Sequence, residues 1–560
     1  MKKTSRNQPC LCGSGKKFKH CCGALKRDIT ITAFDLPSSK PQDATTDKMA
    51  LAQRYQNAGQ LPQAEEIYRQ ILQSNPDFVE AHKNLGNVLR IQGKLREASI
   101  SLQRVLARQP DDAATKVKLA TLRPVIMESH PDILDSRQRF IDNVAELLQS
   151  EISLAEPNKE TGVTNFYFAY HGFNDRELQI KLATLYEQAC PALMYTAPHC
   201  VDLPVVNGKI KIGFVSKFLN NHTIGKVMAG IIANLSRAKF EVYVFFLPQH
   251  KDEMATFIQQ HADHVVTLPL VLEAARHQIA NKQLDILVYP DIGMDSFTYF
   301  LAFARLAPVQ CTTWGHPVTS GIRNLDYFIS SRDMESNGAE EHYSEKLIRL
   351  NSQLTFYYKP ILPPLTKVRS HFGLEQQHIY LCPQALFKFH PDFDVVMADI
   401  LKRDPQGEVV LVEATHEHWT ELLKKRLWQT LPEVMERVRF VPRMNLGDYF
   451  NLIAVSDVLL DPFPFGGGNT SYEALAIGTP IVTLPSKFMR GRFAYACYRQ
   501  MGVMDCVASS PANYVEIAVQ LGTDSWYREQ IKAKILAANN LLYEDVKVVR
   551  EWEQFFMAGM

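Results

Sequence analysis

The 560-residue chain lacks an excess of charge of either sign and lacks any long apolar run. Its 61 Lys and Arg balance 60 Asp and Glu, so the net charge of +1 predicts no general attraction to nucleic acid or anionic membranes. The apolar runs at 241–248 and 409–414 have the length of strands, far below the ~20 residues of a spanning helix. The basic N-terminus continues into polar sequence where a secretory signal has an apolar core. We therefore expect no nucleic-acid partner, no membrane insertion and a cytoplasmic location.

Cysteine is scarce outside one short segment. Four of the ten cysteines lie between residues 10 and 22, and the other six are scattered through apolar surroundings. This distribution favours a reduced compartment with one metal cluster over a disulfide framework.

The clustered cysteines have the spacing C-x-C-x8-C-C across a Gly-Ser-Gly turn. Two close thiolate pairs supply the four ligands of a tetrahedral zinc ion in a segment too small to have a core. The predicted structural zinc ligands are Cys10, Cys12, Cys21 and Cys22. The alternatives are unligated thiols, or His20 in place of one cysteine. The segment 1–27 resembles the SEC-C motif, the zinc-binding tail of the SecA motor and of many bacterial proteins, which implies a bacterial protein with a docking partner for this motif.

A repeat with a period of 34 residues follows a polar linker at 28–44. Residues that occupy matching positions at this period include Gly59 and Gly93, Leu61 and Leu95, Ala64 and Ala98, Tyr68 and Leu102, and Pro76 and Pro110. They resemble the packing positions of tetratricopeptide repeats, which bind peptides or neighbouring domains. We predict repeats over 45–124, with an ordinary pair of helical hairpins as the alternative.

The remainder of the chain passes from a helical region at 125–205 to alternating strands and helices. The first series of predicted strands comprises 209–216, 240–248, 264–270, 285–291 and 310–314, and the second comprises 378–384, 407–414, 437–443, 457–463 and 479–485. Alternation of this kind predicts two doubly wound α/β domains with parallel sheets, at 206–375 and 376–560. Ligands of such sheets bind beyond the carboxyl ends of the strands.

Three consecutive glycines follow the strand DVLLD, in the run DPFPFGGGNTS. Gly467 and Gly468 let backbone amides approach a ligand, and Asn469 and Thr470 open a helix whose N-terminus suits a phosphate or diphosphate. The run has neither the lysine of a phosphate loop nor the spacing of G-x-G-x-x-G, so nucleotide hydrolysis and dinucleotide binding are disfavoured.

Three other side chains follow strand ends of the same sheet. Lys388 offers a point charge to a diphosphate, Tyr449 a ring that stacks on a base, and Glu473 a carboxylate for ribose hydroxyls. Each has a structural alternative: a surface lysine, a core tyrosine and a solvated helix charge. Because all three follow strand ends of one sheet, we favour a single nucleotide-diphosphate site.

The region 209–555 resembles the catalytic region of glycosyltransferase family 41, the O-linked N-acetylglucosamine transferases and SPINDLY-type proteins. The segments that carry the resemblance are 212–227, 307–321, 326–329, 342–350, 385–391 and 459–485. It implies a GT-B fold, a UDP-sugar donor (UDP-GlcNAc or UDP-glucose) and no catalytic metal. The implied donor-binding residues are His316, Tyr449, Gly467, Gly468, Asn469, Thr470 and Glu473, and the implied catalytic residues are His222 and Lys388.

Three departures leave the sugar and the acceptor atom open. Ala385 stands where the animal enzymes have Gln, the run GGGNTS replaces their glycine loop, and Glu473 replaces an aspartate. His316 and the PFPFG run also resemble bacterial cytoplasmic N-glucosyltransferases of the family. We expect an inverting transfer of N-acetylglucosamine to protein Ser/Thr, with glucose transfer to Asn as the alternative. The rivals are an inactive repeat scaffold and a transferase with a non-protein acceptor.

The remaining predictions concern the leaving group, the D-x-D segment, the proton acceptor and two arginines. The helix dipole, the glycine loop and Lys388 would stabilise the leaving diphosphate without a metal. The D-x-D at Asp392–Asp394 is expected to cap a helix, with a metal site as the alternative. His222 is the predicted proton acceptor and Asp291 a second candidate. Arg490 and Arg492 are assigned no role, and support of the donor and support of the sheet both stay open.

Overall fold

The structure is a computed structural model that describes residues 41–162, 164–201, 208–248 and 252–559. Cys10, Cys12, Cys21 and Cys22 lie outside these residues, so the zinc site stays a prediction. The described residues divide into two compact units, with the division between Val88 and Leu89. Within the described part, no helix combines the length and the apolar character that crossing a bilayer requires.

The repeat region consists of four helices joined by short turns. The helices are α1 (Pro41–Asn57), α2 (Leu61–Ser74), α3 (Val79–Gln92) and α4 (Leu95–Arg108). In α2 the buried Leu61, Ala64, Tyr68 and Ile71 lie on one face, as the helical period requires. The α1–α2 and α3–α4 turns each contain a glycine with positive φ, Gly59 at 74° and Gly93 at 85°, which explains the glycine of the repeat.

A second group of helices precedes the sheets. It comprises α5 (Ala113–Ala120), α6 (His130–Leu148), α7 (Pro157–Glu160), α8 (Arg176–Ala189) and the 3-10 turns Phe166–His171, Pro191–Met194 and Pro198–Cys200. The N-caps of α5 and α6 are Asp112 and Ser129, whose side chains accept backbone N–H bonds.

The first sheet has seven parallel strands in the order β3-β2-β1-β4-β5-β6-β7. The strands are β1 (Ile210–Ser216), β2 (Phe240–Phe246), β3 (His264–Thr267), β4 (Ile286–Tyr289), β5 (Val309–Thr313), β6 (Tyr327–Ser331) and β7 (Lys346–Leu350), and the helices are α9 (Thr223–Asn234), α10 (Glu253–His261), α11 (Leu272–Ala280) and α12 (Ser296–Leu301). The register pairs Ile210 with Phe240 and Ile212 with Ile286. The strand order reverses between β1 and β4, where an open sheet of this kind forms its ligand crevice. The predicted strands are present, whereas β6 and β7 were not predicted as strands.

The second sheet has five parallel strands in the order β10-β9-β8-β11-β12. Its strands are β8 (His378–Cys382), β9 (Gly407–Val412), β10 (Val438–Val441), β11 (Val458–Leu460) and β12 (Ile481–Val482), and its helices are α13 (Pro391–Arg403), α14 (Glu417–Thr430), α15 (Leu446–Val455), α16 (Asn469–Ile477), α17 (Phe493–Met501), α18 (Pro511–Thr523), α19 (Ser525–Ala538) and α20 (Val546–Ala558). The order reverses between β8 and β11. The predicted fold of two doubly wound domains is confirmed.

Helix α20 returns from the second sheet to the first. Trp552 Nε1–H donates to the Leu354 carbonyl at 3.1 Å, and the Glu553 carboxylate accepts the Ser236 N–H at 2.8 Å. The last helix of the predicted domain 376–560 therefore ties the two sheets together. The domain boundaries themselves stay predictions.

Candidate functional site

A cavity of about 490 Å³ lies between the two sheets. Residues that follow β1, β4 and β5 line one side, and residues that follow β8, β10 and β11 line the other. Of the predicted site residues, those that line it are His222, Lys388, Gly468, Asn469 and Thr470. The carboxyl ends of both sheets thus face one crevice, as parallel α/β sheets require.

Lys388 is held at the wall of the cavity by polar and aromatic contacts. Its Nζ donates to Gln384 Oε1 at 2.9 Å and to the Gly466 carbonyl at 3.0 Å, and lies 4.7 Å from the centre of the Phe465 ring. Burial lowers the pKa of Lys388 to about 8, although Asp461 opposes that shift. An anion in the cavity would meet an ammonium group that has been removed from bulk water.

The glycine loop is organised from behind by the buried Asp461. This carboxylate accepts the Gly467 N–H at 2.7 Å and the Thr483 hydroxyl at 2.8 Å. A Cβ at Gly466 would lie 2.6 Å from Asp461 Oδ2, and one at Gly467 would lie 2.4 Å from Gln384 Nε2. The two glycines are therefore needed for close packing of the loop on its support, while Gly468 faces the cavity.

The first turn of α16 carries hydroxyl and amide groups into the cavity. Asn469 Oδ1 accepts the Tyr357 hydroxyl at 2.5 Å, and Thr470 hydrogen-bonds with Tyr449. Tyr449 lies behind Thr470 and is not among the residues that line the cavity. Burial raises the pKa of Tyr449, so its hydroxyl stays neutral.

Glu473 is engaged in an ion pair that spans the two sheets. Lys226 Nζ of α9 contacts Glu473 Oε1 of α16 at 2.8 Å, and the glutamate side chain is 4% exposed. Glu473 thus lies one helical turn beyond the residues of α16 that line the cavity. Lys226 was not predicted as a site residue, because nothing in the sequence relates it to a helix of the other domain.

His222 is the N-cap residue of α9, in the turn that follows β1. Its Nδ1 accepts the Ile224 N–H at 3.2 Å, and its ring stacks on Phe218 at 4.6 Å. Burial, and then Lys226, lowers the pKa of His222, so the ring is neutral at pH 7. Because Nδ1 accepts a hydrogen bond, the proton of the neutral ring is on Nε2.

His316 lies behind the cavity wall that its neighbours Gly315 and Pro317 form. Its Nδ1 is 2.8 Å from the Ile292 carbonyl, and its ring stacks on Phe166 at 5.0 Å. Burial lowers the pKa of His316 to about 4. The imidazole is therefore a neutral support of the loop.

Asp291 lies at the end of β4, next to Gly315 of the cavity wall. It is 1% exposed, and its Oδ2 lacks a hydrogen-bond partner among the described residues. Burial, together with the charge of Asp295, raises the pKa of Asp291 to about 7. It is therefore a buried carboxyl that can take up or release a proton near neutral pH.

The sequence prediction missed Trp314 and Arg443, which line the cavity. Arg443 is exposed and follows β10 in the sequence FVPR. Its position directly after a strand end could have identified it as a site residue. Arg490 is not part of the cavity wall, because it is buried against Asp175 at 3.4 Å. Arg492 likewise lies outside the wall, and its guanidinium lies 4.6 Å from the centre of the Tyr495 ring.

The D-x-D segment lies in the first turn of α13, whose N-cap is His390, so the prediction that the aspartates cap the helix is wrong. Arg426 Nε and Nη2 donate to the two Asp394 oxygens at 2.9 and 2.8 Å in a buried pair. Asp394 is thereby neutralised by an arginine, as a buried carboxylate requires. Asp392 is exposed and separate from that pair.

Comparison with known proteins decides the family. The model of glycosyl transferase family 41 matches residues 188–359 and 360–547. The chain belongs to glycosyl transferase family 41. The SEC-C motif model matches residues 6–24, and a tetratricopeptide repeat model matches 56–119. The predicted family and its two accessory modules are confirmed.

Relatives of the family 41 chain come from plants and bacteria. A "Probable UDP-N-acetylglucosamine--peptide N-acetylglucosaminyltransferase SEC" of Arabidopsis thaliana is 25% identical over 64% of this chain and 38% of its own length. A "UDP-glucose:protein N-beta-glucosyltransferase" of Actinobacillus pleuropneumoniae is 24% identical over 48% of this chain and 43% of its own. The chain thus spans less than half the length of these curated relatives.

A solved O-GlcNAc transferase of Thermobaculum terrenum has the same fold. It superposes with a TM-score of 0.70 at 22% identity, covering 93% of this chain and 98% of its own. At this identity the likeness concerns architecture alone. It agrees with the repeat helices and two parallel sheets described above.

Proposed function

We propose that this family 41 chain is an inverting glycosyltransferase that moves N-acetylglucosamine from UDP-GlcNAc to Ser or Thr side chains of proteins. The observation that carries the proposal is the single cavity at which Lys388 and the α16 N-terminus face His222 from the opposite sheet. The names of the plant relatives supply the donor and the acceptor class.

The second sheet provides the groups that a departing UDP needs. Lys388, the amides around Gly468, and the side chains of Asn469 and Thr470 would bind the diphosphate. These groups are fixed before the reaction by the contacts of Gln384 and the Asp461 carboxylate, so charge that develops on the leaving group meets oriented donors. Stabilisation of the leaving group would rest on these side chains and amides, without a catalytic metal.

The nucleoside would lie further along α16. Tyr449 would contact the uracil, and Glu473 the ribose. Because Lys226 occupies Glu473 Oε1, the ribose contact falls to Oε2. His316 would act on the donor through the loop that it supports, and Gly467 through the packing of the glycine loop.

Transfer requires a group that accepts the proton of the acceptor hydroxyl. His222 in its neutral form carries its proton on Nε2, which makes it a hydrogen-bond donor toward the cavity rather than the proton acceptor. Asp291, with a pKa of about 7 and an unpartnered oxygen, is the better candidate for the acceptor role. His222 would then position the donor or the acceptor hydroxyl.

The accessory modules would serve recognition. Tetratricopeptide repeats present surfaces for polypeptides, so the repeat region would bind the acceptor protein. The SEC-C motif would hold a structural zinc through Cys10, Cys12, Cys21 and Cys22 and dock a further partner. A cytoplasmic site of action fits thiolate zinc ligands and free buried cysteines.

The second candidate function is transfer of glucose from UDP-glucose to Asn. It is favoured by the Actinobacillus relative and by the PFPFG run before the glycine loop. Both candidates share the UDP-binding groups and differ in what surrounds the sugar. They are therefore separated by donor and acceptor, not by the diphosphate site.

The test is incubation of the purified chain with separate UDP-sugars and a lysate of its host, followed by mass spectrometry of modified peptides. We expect N-acetylhexosamine on Ser or Thr with UDP-GlcNAc. Hexose on Asn with UDP-glucose would establish the second candidate instead. UDP release without any modified peptide would indicate a non-protein acceptor, and no UDP release from any donor would indicate an inactive scaffold.

A further inference from the structure

Two histidines and an aspartate meet outside the cavity, at the start of α6 and α13. The side chains of His130, His390 and Asp392 each bring one ligand atom within 4.8 Å of the others. His130 Nδ1 is 3.6 Å from Asp392 Oδ1, and His390 Nδ1 is 3.4 Å from Asp392 Oδ2. Ligand atoms of a tetrahedral ion with bonds of ~2.0 to 2.1 Å lie about 3.4 Å apart. Each imidazole thus lies near a different oxygen of Asp392, and the three ligand atoms would draw together from within 4.8 Å to share one ion.

The orientation of His390 also suits metal ligation. Its ring hydrogen-bonds to the backbone of His171. Because Nδ1 faces Asp392 and accepts the Asp392 N–H at 3.2 Å, the bond to His171 falls to the Nε2–H, and an ion at Nδ1 would take over the lone pair that now accepts this N–H. A backbone carbonyl at the far nitrogen is the usual support that fixes a metal-binding imidazole in the required tautomer.

The exposed fractions leave room for an ion from solvent. The side chains of His130 and Asp392 are 46% and 55% exposed, whereas that of His390 is 4% exposed. One fixed ligand and two adjustable ones are thus present. Asp394 does not contribute, since Arg426 holds it in the buried pair.

We propose that His130, His390 and Asp392 form a binding site for a divalent transition ion of the zinc class. Two imidazoles and one carboxylate select against Mg²⁺ and Ca²⁺, which prefer oxygen ligands. The bound ion would join the first turn of α6 to the first turn of α13. The site is independent of the proposed transferase activity and of the N-terminal cysteine motif.

The positive charges around the site limit its affinity for a cation. The positive ends of two helix dipoles lie at the site, and the charge of Arg426 acts on His390. Asp392 supplies one compensating negative charge. We therefore expect weaker binding than at a site of four thiolates.

The test uses the full chain with the substitutions Cys10→Ser, Cys12→Ser, Cys21→Ser and Cys22→Ser, so that these thiolates do not compete. Zn²⁺ binding is followed by competition with a chromophoric chelator, and unfolding by thermal denaturation. We expect one bound equivalent, a rise in Tm on addition of Zn²⁺, and no displacement by millimolar Mg²⁺. His130→Ala and Asp392→Asn should each weaken binding at least tenfold and remove the rise in Tm.

The matched control is His264→Ala. His264 Nε2 also contacts a carboxylate, Glu241 Oε1 at 2.6 Å, but this pair has no third ligand among the described residues. The control should bind Zn²⁺ as the parent does. Absence of a bound equivalent, unchanged affinity in His130→Ala, or displacement by Mg²⁺ would each overturn the proposal.

Discussion

We expect Lys388→Met to suppress transfer while leaving the fold about as stable as that of the parent. The lysine would face the leaving diphosphate, and removal of one such oriented donor costs roughly 3 to 4 kcal/mol of transition-state stabilisation. That corresponds to a fall in kcat of about 10² to 10³-fold. The fall should appear as loss of UDP release at saturating UDP-GlcNAc.

The stability side of this prediction follows from the pKa of Lys388. Its lowering from 10.5 to about 8 corresponds to roughly 3 kcal/mol against the charged form in the folded state. Methionine removes that cost. It also removes the bonds to Gln384 and Gly466, worth about 1 kcal/mol each, and the contact with Phe465, worth about 0.5 to 1 kcal/mol. The net change in the free energy of unfolding is therefore close to zero at pH 7.

The difference in stability between Lys388→Met and the parent depends on pH. Below pH 8 the lysine is charged in both the folded and unfolded states, so its unfavourable burial acts in full. Between pH 8 and 10.5 the folded state releases the proton first, and the cost fades as pH rises. The Tm of Lys388→Met should thus be highest relative to the parent at pH 7 and should fall behind it near pH 10.

The control for this variant is Lys424→Met. The ammonium of Lys424 lies 4.8 Å from the centre of the Phe440 ring, a cation–π contact like that of Lys388 with Phe465 but away from the cavity. The control should retain full turnover. Undiminished turnover of Lys388→Met, or a large loss of Tm at pH 7, would refute the reasoning.

Two further predictions concern the loop and the proton acceptor. Gly467→Ala places a Cβ 2.4 Å from Gln384 Nε2, so displacement of Gln384 should lower kcat at least tenfold, while Gly447→Ala should not. If Asp291 accepts the proton, kcat/KM falls below about pH 7, because the carboxyl becomes protonated there. An acid limb only at a lower pH, retained in Asp291→Asn, would point to His222 instead, because burial lowers the pKa of His222.

Much of the fold could be predicted because its signals are local. Apolar strand runs alternate with amphipathic helices, and each sheet follows from that alternation. Of the two strands that were not predicted, β7 is KLIRL, in which two of the five residues are charged. Its half-buried position at the edge of the sheet explains the weaker apolar signal.

The candidate site was predictable in part for a similar reason. Lys388, Asn469 and Thr470 follow strand ends of parallel sheets, and topology brings such positions to one edge. Topology does not determine side-chain direction. His316 follows a strand end as well, yet its ring points to the Ile292 carbonyl while its neighbours line the cavity.

By itself the sequence determined the order of modules, the parallel sheets and the glycine loop, because these depend on residue types that are close along the chain. Only the tertiary structure decided the partners of Glu473, the support of the loop by Asp461, and the meeting of His130 with Asp392. Those contacts join side chains of distant segments. Their geometry depends on how helices pack on the two sheets, which local periodicity does not encode.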